Sequence, residues 1–91
     1  MEEREIGRVE HYFGKLSVAA IKITADTLTA GETIHIKGYT TDLTQQVDSI
    51  QIDRKPVATA KAGDDIGIRV NAHVREGDAV YKVTTESREG K

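Results

Sequence analysis

The chain has 91 residues, no cysteine, and 13 basic and 15 acidic side chains that give a net charge of −2. The lack of cysteine excludes disulfide bonds, thiolate catalysis and cysteine-ligated metal sites. The slight acidic excess argues against a strong nonspecific polyanion binder. No apolar run reaches the roughly 18 residues that cross a bilayer, and the charged first residues lack the apolar segment of a signal peptide. We therefore expect a soluble, cytoplasmic protein with no membrane partner.

Short runs of alternating apolar and polar residues, rich in β-branched types, predict about six strands. In chain order, the expected strands cover residues 5–13, 17–24, 33–37, 44–52, 66–70 and 80–84. In the third, Ile34 and Ile36 are expected inward and His35 outward. No segment has a sustained helical period, so the prediction is an all-β fold.

Two irregularities are expected within these strands. Gly7 lies inside the first strand, where a glycine often marks a bend or a close approach of another backbone. In the fourth strand, Val47 is out of phase with Ile50 and Ile52, which one inserted residue near Asp48 or Ser49 would correct. That offset predicts a β-bulge.

Regularly spaced short strands favour a small β-sandwich or a β-barrel. Closure into a barrel is attractive for so short a chain, because it leaves no exposed strand edges. We expect a single domain over residues 1–85. Residues 86–91 lack apolar anchors and are expected to form a flexible C-terminal tail.

One short phrase occurs three times: a glycine, an acid, any residue and a β-branched residue, at positions 31–34, 63–66 and 77–80. A glycine that precedes a strand suits a turn that needs a positive φ. The acid is expected to stay solvated or to cap the turn, while the β-branched residue enters the core. From the residues alone, turn structure and a ligand site both remain open for this phrase.

Patterns that would indicate catalysis or cofactor binding are lacking. The Gly-Lys pair at 14–15 is followed by leucine instead of the serine or threonine that a phosphate-binding loop requires. The adjacent carboxylates Asp64 and Asp65 would point to opposite faces of a strand. The histidines have no metal-ligand spacing; they are His11, His35 and His73. We expect no enzymatic activity, no cofactor and no metal.

Four segments, taken in order, carry a resemblance to known families: IGRVEHYF, LTAGETIHIKG, VDSIQIDRKPVATAKAGDDIGIRV and VREGDAVYKV. Together they resemble the second domain of translational GTPases such as elongation factor Tu, which is a small closed β-barrel. They are also similar to stand-alone translation elongation factor-like proteins. A third similarity is to the barrel that ends some collagenase-like peptidase family members, whose relatives act in tRNA modification.

The resemblance covers about residues 6–83 and implies a six-stranded closed β-barrel of the translation-factor type. Because Gly31 and Gly63 match fixed strand entries of that barrel, the resemblance favours turn structure over a ligand site for the repeated phrase. It implies no GTP binding, because the nucleotide-binding domain of those GTPases has no counterpart here. The leading functional hypothesis is a non-catalytic module that contacts RNA, either tRNA or ribosomal RNA, or a translation-related ribonucleoprotein. The residues expected to bind RNA or another partner are Arg54, Lys55, Lys61, Arg69, His35 and Lys37.

Alternatives to RNA binding remain open at this point. Tyr12 and Tyr39 with His35 could form a modest stacking platform, although core and edge packing explains the same residues. The cations near Arg54 could equally belong to an ordinary solvated loop. The rival functional hypothesis is a protein-interaction module that docks in trans onto a larger enzyme, either peptidase-like or tRNA-modifying.

Overall fold

The computed structural model describes residues 2–84, which form ten strands and no helix. The strands are β1 (Glu2–Phe13), β2 (Val18–Ile23), β3 (Thr27–Thr29), β4 (Thr33–Lys37), β5 (Asp42–Gln46), β6 (Ile50–Ile52), β7 (Lys55–Val57), β8 (Thr59–Lys61), β9 (Asp65–Arg69) and β10 (Ala79–Thr84). The predicted all-β class is confirmed. Within this range there is also no helix able to cross a bilayer. The expected tail at 86–91, and with it the boundary at residue 85, lies outside the described residues.

The strands form two antiparallel sheets. The larger has eight strands in the order β5-β4-β10-β1-β2-β9-β6-β7, and the smaller pairs β3 with β8. The long strand β1 lies at the centre of the larger sheet, between β10 and β2. The first and last of the described strands are therefore neighbours.

The closed six-stranded barrel expected from the sequence is not seen in residues 2–84, because the larger sheet is open and ends at β5 and β7. One cause is Pro56, which lies in β7 opposite Gln51 and has no N–H to donate to a further strand. A second is strand length, since β6, β7 and β8 have three residues each. Such short strands offer few backbone groups for a continuous ladder.

A side chain, rather than a backbone ladder, connects β5 to the end of β9. Gln45 is buried on the inner face of β5, with 9% of its surface exposed. Its Nε2 donates to the carbonyl oxygen of Arg69 at 2.9 Å, and its Oε1 accepts from the N–H of Asn71 at 2.7 Å. The Gln45 amide thus satisfies backbone groups that a neighbouring strand would otherwise satisfy.

The prediction for Gly7 is confirmed, because a β-carbon at this position would overlap the carbonyl oxygen of Lys22 on β2. The register of β1 against β10 also shifts between Glu5 and Gly7. A second shift, between Val9 and His11, occurs against β2. These irregularities let one long strand bend while it pairs on both sides.

The prediction of one strand over residues 44–52 is wrong, because this segment contributes to two separate strands. The chain leaves β5 after Gln46 and starts β6 at Ile50, which pairs with different neighbours. A break between two strands, rather than a bulge within one, brings both Val47 and Ile50 into the core. The phase offset in the sequence was real, and its structural cause is a change of pairing partner.

Inward-facing side chains from both sheets form one apolar core, and β-branched residues dominate it. The fully buried members of largest volume are Ile6, Ile21, Ile23, Leu28, Ile34, Ile36, Ile50, Ile68, Val9, Val47, Val74 and Val80. Burial of Ile34 and Ile36 confirms the inward phase predicted for β4.

The repeated glycine phrase forms the same turn three times. Each glycine has a positive φ, at 99° for Gly31, 99° for Gly63 and 90° for Gly77. The acid that follows donates its N–H to the carbonyl oxygen three residues earlier, as in a β-turn. Its carboxylate also accepts from the N–H of that earlier residue, at 2.7 to 2.9 Å. The interpretation as turn structure with a capping acid is confirmed.

Candidate partner-docking surface

Small side chains leave a shallow depression on the outer face of the larger sheet. Strand pairing places Gly67 of β9 between Ala20 of β2 and Gln51 of β6. Two hollows of about 370 and 310 Å³ meet here, and both are lined by Val18, Gly67 and Gln51. We call this depression, with Val18, Ala20, Gly67 and Gln51 as its floor, the outer groove.

The wall of the outer groove is the tip of the β1–β2 hairpin. Phe13 is 46% exposed and Leu16 is 62% exposed, and both line the groove. The hairpin turn is held by hydrogen bonds from the N–H of Leu16 to the carbonyl oxygen of Phe13, at 3.1 Å, and from Ser17 to Gly14, at 3.4 Å. Large apolar side chains held outward beside a groove are typical of surfaces that bind another molecule.

A third hollow, of about 620 Å³, lies beside the same hairpin and outside the outer groove. Tyr12 and His73 line it with their ring centroids 4.5 Å apart. Arg75, also in its lining, donates from Nε to the hydroxyl of Thr40 at 3.0 Å. Next to Thr40, Tyr39 is fully exposed. The β1–β2, β4–β5 and β9–β10 connections therefore meet at one end of the molecule.

The stacking platform considered from the sequence is not assembled. Tyr12 contacts His73 instead of His35, and the ring of His35 lies 6.1 Å from that of Tyr81. Tyr39 is exposed in the β4–β5 connection. The pairing of Tyr12 with His73 had no signal in the sequence, because the residues are far apart along the chain.

The six residues expected to bind RNA or a partner do not form one patch. His35 and Lys37 lie on β4, which is four positions from β9 and Arg69 in the sheet order. Lys61 belongs to the smaller sheet. Of the six, only Arg54 and Arg69 border the outer groove, Arg54 in its larger hollow and Arg69 in its smaller one. Lys55 follows Arg54 on β7. The role of these residues in binding stays a prediction.

His35 is held between two carboxylates instead of facing solvent freely. Its side chain is 13% exposed, Nδ1 lies 2.9 Å from Oε2 of Glu3, and Nε2 lies 2.6 Å from Oδ1 of Asp42. Hydrogen bonding to Glu3, and then to Asp42, raises the pKa of His35 above its ordinary value, against the opposing effect of burial. Because both ring nitrogens already have partners, His35 links β1, β4 and β5 and offers no vacant nitrogen to a substrate.

Lys82 is a charged residue on the inner face that sequence reasoning missed. Its ammonium donates to the carbonyl oxygen of Thr27 at 2.8 Å and lies 3.4 Å from a carboxylate oxygen of Asp26. The N–H of Thr27, and then Lys82, hold the pKa of Asp26 below its ordinary value. An inward lysine interrupting the alternation of β10 was the available signal. Its role is structural, since it ties β10 to the smaller sheet.

Among residues 2–84, no three histidine, aspartate or glutamate side chains cluster closely enough to hold a metal ion. Asp64 caps its turn by accepting from the N–H of Lys61 at 2.9 Å. Asp65 lies 3.4 Å from the ammonium of Lys22. Both carboxylates considered from the sequence therefore have structural partners.

Comparison with known proteins gives the surface its context. No family model matches the sequence. The chain is 47% identical over 78 residues to an uncharacterized protease of Methanocaldococcus jannaschii, and this match covers 85% of the chain and 19% of the relative. It is 35% identical over 78 residues to a collagenase of Porphyromonas gingivalis, covering 85% of the chain and 22% of the relative. The chain thus spans about a fifth of the length of these curated relatives.

Two solved structures extend the comparison to the fold. The C-terminal domain of a candidate U32 peptidase from Geobacillus thermoleovorans superposes with a TM-score of 0.81 and 14% identity, covering 88% of this chain and 92% of that domain. Its selenomethionine variant gives a TM-score of 0.79 and 14% identity, covering 85% and 96%. The chain has the fold of a U32 peptidase C-terminal domain. These relatives match the collagenase-like part of the expected resemblance and do not support the elongation-factor part.

Proposed function

We propose that the chain is a non-catalytic module that docks in trans onto a larger, peptidase-like protein. The observation that carries this proposal is its similarity to about a fifth of a protease and of a collagenase, together with the fold of a peptidase C-terminal domain. In those relatives a region of this kind is part of a longer protein. By this proposal, the chain supplies to such a protein, as a separate partner, the module that those relatives carry within one chain.

The exposed hairpin tip supports docking to protein rather than to RNA. Phe13 and Leu16 present apolar surface beside a groove floored by small side chains. A phosphate backbone would instead require cations that converge. The five cations and one histidine expected to bind RNA are spread over several strands and both sheets. The RNA-binding hypothesis is therefore unsupported, and docking onto an enzyme is the better-supported function.

The test is direct binding between purified components. The 91-residue chain is titrated against a peptidase-like protein of the same organism, and separately against total tRNA of that organism. The docking proposal predicts saturable binding to the peptidase-like protein that changes little between about 50 and 200 mM salt. RNA binding through phosphate contacts would instead weaken steeply over that range, by orders of magnitude if several phosphates are neutralised.

The result that would overturn the proposal is binding to tRNA, with that salt dependence, and none to the peptidase-like protein. A tRNA-modifying enzyme of the same organism is the second partner to test, since the resemblance implies that class as well. Binding to the modifying enzyme alone would keep the docking role and replace the partner class.

A further inference from the structure

Gly67 is a glycine that the fold itself does not require. Among the described glycines, those that open the repeated turns need a positive φ, and two others are crowded so closely that a β-carbon would overlap a neighbour. The crowded pair are Gly7 and Gly38. Gly67 belongs to neither group. Its φ is not in the left-handed range, and a β-carbon there would lie 3.5 Å from Cγ1 of Val18, an ordinary van der Waals contact.

A glycine in the middle of a strand has a cost, because the unfolded chain gains freedom and the strand loses a side chain that could pack. Gly67 is the central residue of β9 and faces outward, since its neighbours Ile66 and Ile68 are buried. A glycine inside a strand often marks a bulge, a tight bend, or a close approach of another backbone or a ligand. The register of β9 against β2 is unshifted at Gly67, which leaves close approach. The missing side chain is therefore a feature of the outer surface.

The surroundings of Gly67 show what could approach. Ala20 and Gln51 flank it on the neighbouring strands, so the lowest part of the outer groove lies directly above Gly67. Phe13 and Leu16 form an apolar wall along one side. A large apolar side chain from another molecule would fill this space and cover exposed carbon surface on the wall.

Charge along the outer face of β9 defines the rest of the occupant. Two residues before Gly67, Asp65 has a partner in Lys22 at 3.4 Å. Two residues after it, Arg69 forms no salt bridge with any acid in the described part of the chain, although Asp48 lines the same hollow. An extended segment lying along β9 repeats its side-chain direction every two residues, about 6.6 Å apart, which matches the step from Gly67 to Arg69.

We propose that the outer groove receives an extended segment of the peptidase-like partner. In that segment a large apolar side chain sits over Gly67, and a carboxylate two residues along pairs with Arg69. The proposal deepens and rests on the proposed docking function, for which it names the surface and the chemistry of the partner. It also gives Arg69 a specific role that Lys55 and Lys61 do not share.

The experiment measures the affinity of the peptidase-like protein for the unchanged chain and for variants of the groove. Gly67→Ile should weaken binding by about tenfold or more, because centrally placed anchor contacts typically carry that share of a binding free energy. Arg69→Glu should weaken it by a similar factor, since it opposes the partner's carboxylate. Gly67→Ala should keep or raise the thermal midpoint of the chain and still weaken binding, which separates groove filling from misfolding.

Matched controls lie outside the groove. Ala58→Leu adds comparable bulk at an exposed position between β7 and β8, and Arg8→Glu reverses an exposed arginine charge on β1, outside both hollows of the groove. Both should bind as the unchanged chain does. Equal loss in the controls and in the groove variants would overturn the proposal.

The remaining outcomes separate this proposal from the function on which it rests. No binding by the unchanged chain would overturn the docking function itself. Full binding by Gly67→Ile and Arg69→Glu would leave docking intact and overturn the groove as its site. If the chain instead forms a dimer in sedimentation that Gly67→Ile abolishes, the occupant is a second copy, and the proposed partner segment is wrong.

Discussion

Substituting Gln45 tests how this fold joins the edges of an open sheet. Two hydrogen bonds of the Gln45 amide reach the end of β9: Nε2 donates to the carbonyl oxygen of Arg69 at 2.9 Å, and Oε1 accepts from the N–H of Asn71 at 2.7 Å. In Gln45→Ala both backbone groups lose their partner, and an unsatisfied buried group costs about 1–3 kcal/mol. Because both bonds are only partly buried, water can replace them in part. We therefore expect a loss of about 2–3 kcal/mol in the free energy of unfolding.

The assay is chemical denaturation followed by circular dichroism, supported by thermal melting. A loss of this size in a domain of fewer than 100 residues should lower the thermal midpoint by roughly 10 to 20 °C. Gln46→Ala is the matched control, because this neighbour makes one exposed bond, at 2.9 Å to the carbonyl oxygen of Gly31. It should cost less than about 1 kcal/mol. If the two variants lose the same stability within about 0.5 kcal/mol, the Gln45 bridge does not hold the sheet edges together.

Two further predictions concern His35 and Gly7. Because its carboxylate partners, Glu3 first, raise the folded-state pKa of His35, the stability that it contributes is fully present below its unfolded pKa of about 6.5 and is lost as pH rises through the folded pKa. An NMR titration of the ring checks this. A folded-state pKa of His35 at or below about 6.5 would contradict the prediction. So would an unchanged pH dependence of the free energy of unfolding in the variant His35→Gln. Gly7→Ala should lower the free energy of unfolding by at least about 1 kcal/mol, because its β-carbon would overlap the carbonyl oxygen of Lys22. In Gly14→Ala the nearest atom is 3.7 Å away, and this control should melt close to the unchanged protein.

Local patterns in the sequence predicted what depends on local geometry. The alternation around Ile34 and Ile36 identified the buried face of β4, because side-chain direction in a strand alternates from one residue to the next. The positive φ of Gly31 followed from the need for a turn before that strand. These features are encoded within a few neighbouring residues, so a single sequence reveals them.

Features that depend on distant pairing were missed or misassigned. The phase change between Val47 and Ile50 was visible, but the sequence could not show that the chain exchanges one pairing partner for another there. Openness of the larger sheet depends on Pro56 lying at its edge, which is known only once the strand order is known. Joining of the edges by Gln45 likewise had no local signal.

The candidate site was harder to predict than the fold. Sequence reasoning relied on cations, and it placed Arg54 and Arg69 in one set with residues on the far strands. The outer groove instead arises because strand pairing brings Gly67 beside Ala20. Small residues far apart in the chain produce no sequence motif. The pairing register of β2 against β9 places them side by side on the surface.

Calorimetric titration of the chain into the peptidase-like protein, repeated at several temperatures, tests the central claim most directly. Docking through the exposed hairpin tip predicts saturable binding with a negative heat-capacity change, which marks the burial of apolar surface. The double variant Phe13→Ser, Leu16→Ser should keep its fold, because neither side chain belongs to the buried core. Its affinity should fall by about tenfold or more. Absence of heat with the unchanged chain, or equal affinity for the double variant, would contradict the account.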